Sequence, residues 1–486
     1  MPVAECATVR PVMSDPAPSF TLMDVPGGLP IVGHAGVFKK DPLQTMCEWW
    51  RRHGDALRFR LGRKTLYLFS HPDLAEEILV RQADRFVKVY DPRQPVGLAL
   101  VLGNGLVTSS GDLWKRHRRI IQPIFHRSRL VAMADRMAQI GEHRIAGWTA
   151  RRDQPIDIAA EMMALTLEVI AHTMFTTSVA QHIDEISRAL RVSLQYAFDS
   201  FHNPLHPPGW LPTRRNREFH QVMRFMDGLI DDLIEERRRS GVRHDDLLDR
   251  LLEARDEETG EGLSDRELRD EALTIFAAGH ETTANALTWS WYLLATHPDA
   301  KARFHEEVDR VLQGNRPTAD DLPNLPYTRA LFDESLRLFP PAPAIQRKAA
   351  TDATVGGLSL PAGSVVLIGT YNLHRHPGFW TDPDRFVPER WLNGERPASR
   401  CAYLPFGAGP RACVGTHFAL LEGPLLLALI GQRYDLRMAQ ERVEPQLLVT
   451  LRPKGGIRMT HEPRRRSAAS VPSSGSGLPV PGLWPD

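Results

Sequence analysis

The segment Phe406-Gly407-Ala408-Gly409-Pro410-Arg411-Ala412-Cys413-Val414-Gly415 decides how this chain is read. Three readings compete for it, the blandest a buried, inert cysteine. Gly407, Gly409 and Ala412 spell a bare GxGxxA, the outline of a dinucleotide loop. Such a loop follows an apolar strand and is answered by an acidic residue ~20 positions later. Here Pro405 precedes it and an apolar helical stretch, Leu420 to Ile430, follows. The dinucleotide reading fails on both sides. The second reading makes Cys413 a metal-ligating thiolate. An anionic sulfur needs donors and positive potential around it. Gly407, Gly409 and Gly415 let backbone N–H groups turn towards the sulfur without side chains in the way. Arg411 adds charge, and the helix expected after Cys413 adds the positive end of its dipole.

Working outward, the next informative stretch is a long helix. Ser264 followed by Glu267 forms a capping box, and Pro298 stops the helix after His297. Asp265 to His297 would span roughly 50 Å. Its later half, with Ala284, Leu287, Trp289, Trp291 and Leu294, is apolar on nearly every side, so it should cross the core. Its middle reads Ala278-Gly279-His280-Glu281-Thr282-Thr283. Glycine there costs about 1 kcal/mol against alanine. A buried carboxylate needs a partner, and threonine hydroxyls can bond back and bend the helix. The centre is therefore either a locally satisfied polar kink or a place where something lies against the backbone. His280-Glu281 does not begin an HExxH zinc motif, because the second histidine position is Ala284.

The remaining chain reads as mainly helical over 113–313, broken once by Pro204, Pro207, Pro208 and Pro212. Leu57–Leu61 and Thr65–Phe69 around Gly62 predict a hairpin, and Val365–Ile368 predicts another strand. The expected architecture is mainly α: one large helical domain over 25–460 with a small β-rich subdomain. Residues 1–24 are expected to form a Pro-rich flexible leader, and 461–486, with Arg464-Arg465-Arg466, a disordered Arg/Ser/Pro/Gly tail. The chain has 486 residues, 60 Lys+Arg against 59 Asp+Glu. Such a balance argues against a nucleic-acid partner. Four cysteines, Cys6, Cys47, Cys401 and Cys413, form no CxxC pair, so a disulfide scaffold, a zinc ribbon and a cysteine-held iron–sulfur cluster are excluded. No apolar run is long enough for a membrane anchor, and the N-terminus lacks a signal-peptide core. The expected location is cytoplasmic.

Phe-x-x-Gly-x-Arg-x-Cys-x-Gly, matched from Phe406 to Gly415, resembles the signature of the cytochrome P-450 superfamily. Further stretches resemble that family in the required order. They are Trp114-Lys-Arg-His-Arg118, Ala278–Thr283, Glu334-Ser-Leu-Arg337, Arg347 after the Pro340-Pro341-Ala-Pro343 run, and Arg390 within Phe386–Trp391. The resemblance spans roughly residues 25–460. Pro424, inside the helix after the cysteine, departs from the pattern and is expected to kink that helix.

The resemblance implies a cytochrome P-450 fold with a long central helix over a haem b. Cys413 would be the iron ligand, with Phe406, Gly407, Arg411 and Gly415 forming its loop. Trp114, Arg118, Arg347 and Arg411 would hold the propionates. Ala278 and Gly279 would lie over the haem plane. Glu281 would relay protons and Thr282 would hydrogen-bond dioxygen. Glu334, Arg337 and Arg390 would form a structural triad. Substrate contacts are expected within Phe86–Val101, within Phe198–Leu211 with Phe198, Phe201 and Trp210 as the bulky candidates, within Leu273–Ala278, Ile275 included, and at Ala344, Ile345, Val449 and Thr450. The implied activity is hydroxylation or epoxidation of a small lipophilic substrate, with terpenoids, carotenoids and fatty acids favoured. NAD(P)H would act indirectly, through a ferredoxin and ferredoxin reductase docking on a basic face at Lys115, Arg116 and Arg119. A peroxide-driven oxidase or isomerase and a non-enzymatic haem sensor remain as alternatives.

Overall fold

The computed structural model describes residues 20–464, apart from 91–94, 153, 178, 204–205, 257, 259 and 395–396. Two layers of helix and one sheet-rich corner organise these residues. The central helix runs from Asp265 to Thr296. Both halves of its capping box are present, Ser264 receiving the Glu267 N–H while the Glu267 carboxylate accepts from Ser264. His297 becomes the cap because Pro298 opens the next helix, Pro298–Leu312.

Most of the central helix is buried, as its apolar composition requires. It packs most extensively against the helix Ile158–Met174. Gly279 makes that approach possible. A Cβ there would come within 2.7 Å of Ile170 Cδ1. Beside it, the Thr166 hydroxyl donates to the carbonyl of His280 at 3.0 Å. The polar centre is thus gripped by a side chain from the neighbouring helix, one of the ways helices are bent.

The helix after the cysteine spans Thr416–Arg433 and continues through Pro424. It lies deep in the same core. Cβ atoms at Gly423 and Gly431 would come within 2.3 Å of Phe332 and Phe304. These glycines let helices Pro326–Leu338 and Pro298–Leu312 pack closely on it.

The β-rich corner holds a six-stranded sheet. Its strands lie in the order Met23–Asp24, Ala56–Leu61, Lys64–Phe69, Val365–Ile368, Ile345–Ala349, Phe86–Val87. The expected hairpin pairs Ala56 with Phe69 through Leu61 with Lys64. Both expected domain boundaries shift. Met23–Asp24 already pairs with Leu57 and Arg58, so the sheet begins inside the expected leader. His461–Pro463 belongs to the strand Arg458–Pro463, paired with Tyr434–Met438. Arg464 is no solvated tail residue; it binds the Asp309 carboxylate at 2.7 Å. Local composition hid these ends because their partners lie far along the chain. Residues 1–19 and 465–486, with Arg465 and Arg466, lie outside the described residues.

Candidate functional site

The cysteine loop is fixed by its own backbone and by what lies behind it. The Cys413 N–H donates to the Phe406 carbonyl at 2.9 Å, and the Gly407 N–H to Leu404 at 3.2 Å. Gly407 and Gly409 have φ of 71° and 70°, a region glycine enters without strain. At Gly409 the need is also steric, since a Cβ would stand 1.9 Å from the Leu79 carbonyl oxygen. Gly415 is different, with φ of −82°. Its N–H reaches the sulfur of Cys413. Burial pushes that thiol up, while the Gly415 N–H, the Arg118 charge and the Thr416 hydroxyl pull it down.

Behind the loop lies the buried triad. Glu334 and Arg337 share one helical face and meet through two bonds of 2.8 Å. Arg390 Nε adds a third at 3.1 Å. The guanidinium of Arg337 also donates to the carbonyls of His374, Pro383 and Arg385. Glu334 further accepts from the Val387 N–H and the Trp391 ring N–H. Each buried charge is therefore paired and hydrogen-bonded, the condition under which burial is tolerable. His374 links this knot to the cysteine loop. Its Nε2 accepts from the Leu404 N–H at 2.8 Å, which leaves Nδ1–H to donate to the Arg337 carbonyl at 3.0 Å. Burial holds His374 neutral, with a pKa of about 3. Neither His374 nor its part in the loop was legible beforehand, since a lone histidine carries no motif.

Cations gather on the open side of the loop. The Arg411 guanidinium lies 4.1 Å from the Trp114 ring centroid and donates to the Ser109 carbonyl. Arg118 donates to the Ala412 carbonyl at 2.8 Å. Buried Arg347 bonds only its neighbour's carbonyl, Gln346 O. Lys88, not singled out by the sequence, lies with them. Burial, then Arg347 and Arg411, push its pKa well down. Burial and mutual repulsion bring Arg411 to about 10, and burial alone does the same for Arg347. Among the described residues no carboxylate forms an ion pair with Lys88, Arg118, Arg347 or Arg411. Such a cluster is costly without an anion between its members.

The central helix faces this region with its polar centre. Ala278 is exposed although the residues before it are buried, and Thr282 is half-exposed one turn later. The Thr282 hydroxyl donates back to the Ala278 carbonyl at 2.8 Å. Glu281 points elsewhere. It is buried, and its Oε1 accepts from the Thr450 hydroxyl at 2.6 Å. Asn285 in turn donates to Thr450 at 3.2 Å. Burial raises the Glu281 pKa, against the Thr450 bond and the Arg452 charge. Thr450 is thus engaged with the acid and is not open to a substrate.

Other expected substrate contacts are corrected in part. Phe86, Val101 and Ile275 retain 2%, 1% and 6% of their surface. Their side chains are spent in the cores and offer almost no face to a ligand. Phe198, Ala344, Ile345 and Val449 are half-buried. Trp210 is 81% exposed and lines no interior wall. Asp91–Gln94 and Pro204–Leu205, within the expected contact stretches, lie outside the described residues. The expected basic face is largely neutralised. Arg116 pairs with Glu267 at 2.7 Å, Arg119 with Asp256 at 2.9 Å and Lys115 with Asp112 at 3.1 Å. Beneath them, His117 bonds Glu271 at 2.6 Å, tying this helix to the central one.

A flat group with a thiolate ligand on one face, a small alanine on the other and anionic arms would satisfy all these features. Iron protoporphyrin has that form, and the residues fit it: Cys413 opens onto the site, Ala278 is bare, and the cations await propionates. The fold and site define a haem-thiolate protein. A cytochrome P450 family profile matches residues 23–460. The chain is 41% identical over 448 residues to cyclooctatin synthase of Streptomyces melanosporofaciens, covering 90% of this chain and 95% of that one. It is 37% identical to cyclooctat-9-en-7-ol 5-monooxygenase of the same organism, over 95% and 100%. Pentalenene oxygenase of Streptomyces avermitilis is 34% identical over 89% and 95%. A crystal structure of the cytochrome P450DA haem domain superposes with a TM-score of 0.83 at 29% identity, covering 92% of this chain and 98% of that one. The chain belongs to the cytochrome P450 family and is a haem-thiolate monooxygenase that uses haem b. Redox partners supply its electrons, and its substrate is lipophilic. No described helix is long and apolar enough to cross a membrane.

Proposed function

We propose that this monooxygenase oxygenates a cyclic terpenoid, an olefin or its mono-alcohol, in the cytoplasm, with electrons drawn from NAD(P)H through a ferredoxin and its reductase. The observation that carries the substrate class is the near-full-length similarity to three terpenoid oxygenases. The reaction takes one O2, two electrons and two protons. It returns one oxygen atom in a new C–O bond and the other as water. When bound, haem would supply the oxygen-activating chemistry, with electron density donated by the Cys413 thiolate.

The chain's own residues do the rest. Cys413 is the ligand, oriented by the Phe406 carbonyl and the Gly415 N–H. Lys88, Arg118, Arg347 and Arg411 would hold the propionates, and the Trp114 ring lies against Arg411. Ala278 leaves room on the reactive face. Thr282 gives up its bond to the Ala278 carbonyl to hold a proton donor in place. Glu281 delivers protons from its seat beside Thr450, a carboxyl tuned by burial for that task. Phe198, Ala344, Ile345 and Val449 offer apolar surface to the substrate.

The test is turnover of a panel of cyclic terpenes and terpenols by purified holoprotein with a ferredoxin, its reductase and NADPH under labelled dioxygen. One labelled oxygen atom in a terpenoid product supports the reading. Turnover of fatty acids with no terpenoid product overturns the substrate class. Turnover with peroxide but not with the electron-transfer pair overturns the partner.

A further inference from the structure

The short helix Gly111–Ile121 carries Trp114 and Arg118, yet few apolar contacts anchor it. Of its 11 residues only His117 and Ile121 are buried. Ile121 packs in the main core, and His117 retains none of its surface. A helix of this length is marginal in water by itself. Its place is therefore set by its anchors, and one of the two buried ones is a histidine.

The central helix engages His117 through both ring nitrogens. Nδ1 meets Glu271 Oε1 at 2.6 Å, and Nε2 meets Glu267 Oε1 at 3.3 Å. Burial pushes the Glu267 carboxyl up, but the Ser264 N–H and hydroxyl, His117 and Arg116 outweigh it and hold it at about 2. An ionised carboxylate only accepts, so Nε2 carries a hydrogen. A second proton lies in the short bond between Nδ1 and Glu271. Arg116 closes the knot, donating to Glu267 Oε1 at 2.7 Å and to the Gly262 carbonyl. The knot is neutral in total, which makes its burial tolerable. Asp270, next to Glu271, is committed elsewhere, to Arg269 at 2.7 Å and to the Asn104 N–H at 2.8 Å.

Other groups of the same short helix bear on the cysteine loop. Arg118 donates to the Ala412 carbonyl at 2.8 Å. The Trp114 ring lies against Arg411, whose guanidinium donates to the Ser109 carbonyl at 3.0 Å, just before the helix begins. The Ser110 hydroxyl accepts the Lys88 N–H at 3.3 Å. The helix is thus a strut between the central helix and the cation cradle. Glu271 precedes Ala278 by seven residues on the central helix, ~10 Å along its axis. The cradle and the bare alanine are in this way referred to one rod.

We propose that His117 is a positioning residue for haem: by pinning its helix to Glu267 and Glu271 it sets where Trp114 and Arg118 stand, and so how tightly the propionates are held. The inference rests on the assignment of Arg118 to a propionate. His117 acts through Arg118, since both of its own ring nitrogens are engaged by the central helix.

The experiment times haem transfer from the loaded full chain to excess apomyoglobin, with the reduction potential measured beside it. His117→Gln keeps a donor but no charge and should speed transfer ~10-fold. Arg118→Gln should do so by a similar factor. Because both act at one place, the double variant should stay near ~10-fold, where independent sites would multiply to ~100-fold. Both single variants should lower the potential, since each withdraws a cation from the haem's surroundings. A histidine that served only helix stability would lower Tm and leave the potential in place. Glu271→Gln reaches the same knot from the other helix and should reproduce the His117→Gln result, including where that variant fails to fold. Multiplying effects overturn the inference and leave the propionate assignment standing, as does parental haem transfer and potential in His117→Gln and Glu271→Gln. Parental haem transfer in Arg118→Gln overturns both.

Discussion

The two sides of the haem site are built on opposite rules. Behind the cysteine loop the buried charges of the triad are saturated with partners. Glu334 alone accepts from Arg337, Arg390, the Val387 N–H and the Trp391 ring. On the central-helix side polar groups are held singly or not at all. Thr282 bonds only its own helix, Glu281 hangs on one hydroxyl, and the buried His280 Nδ1 has no partner. Glu422, reaching towards the same helix from beneath, has only the Thr283 hydroxyl beside its carboxylate. On the proposed mechanism the first side would hold a sulfur at one position through many turnovers, and the second would let protons and water move. Saturation gives geometry; sparseness gives exchange.

Breaking the saturated side should have the largest effects. Cys413→Ala is expected to abolish the red-shifted carbon monoxide band and all turnover, read by absorption spectroscopy. Retention of both would remove Cys413 as the ligand. Glu334→Gln leaves two buried guanidinium groups short of their counter-charge. It should cost about 3–5 kcal/mol of stability and the ability to retain haem, measured by denaturant titration and haem content. A variant as stable and haem-replete as the parent would deny the triad its scaffolding part.

The sparse side should respond more to pH and coupling than to stability, with one exception. Burial raises Glu422 from 4.5 to about 8. A carboxyl whose folded pKa exceeds its unfolded value binds more protons when folded. Its ionisation therefore subtracts stability as pH rises from about 4.5 to 8, and the penalty is complete above that window. Glu422→Gln should remove a loss of about 5 kcal/mol across this range, seen as a flatter dependence of Tm on pH. An unchanged profile would mean the carboxyl finds a partner on ionisation. Thr282→Ala should keep oxygen consumption but divert it to peroxide, lowering product per NAD(P)H about 10-fold. Tight coupling in that variant would clear Thr282 of its role. The smallest effect belongs to Thr450→Val. Losing the donor to Glu281 should move the alkaline limb of the turnover profile up by about one pH unit, with Thr450→Ser restoring it. A profile identical to the parent would make the Thr450 contact structural.

The same contrast governs what the sequence disclosed. The cysteine loop was legible because its chemistry demands fixed residue types at fixed spacing, from Phe406 to Gly415. The capping box at Ser264 and Glu267 and the hairpin around Gly62 were legible because they are local. Lys88 escaped, since one lysine after a two-residue strand carries no pattern; only folding sets it beside Arg347 and Arg411. The Glu281–Thr450 bond joins residues far apart in sequence, and Thr450 read as a wall residue until its hydroxyl was seen to be engaged. Burial was the other blind spot. Phe86, Val101 and Ile275 are apolar and lie in the expected segments, but apolarity alone does not distinguish core from cavity.

One consequence lies in the contact between Gly409 and the Leu79 carbonyl. The cysteine loop rests on a turn made more than three hundred residues earlier, and the cations that face it come from the helix Gly111–Ile121 and the strand at Arg347. During synthesis the cation holders Lys88, Arg118 and Arg347 leave the ribosome first, in that order, and the sulfur comes last. At about 5–20 residues per second, seconds separate the synthesis of Arg347 from that of Cys413, and the strand that carries Arg347 waits in the same interval for its partner Val365–Ile368. The two halves of the site therefore meet only when the C-terminal part of the chain has been made.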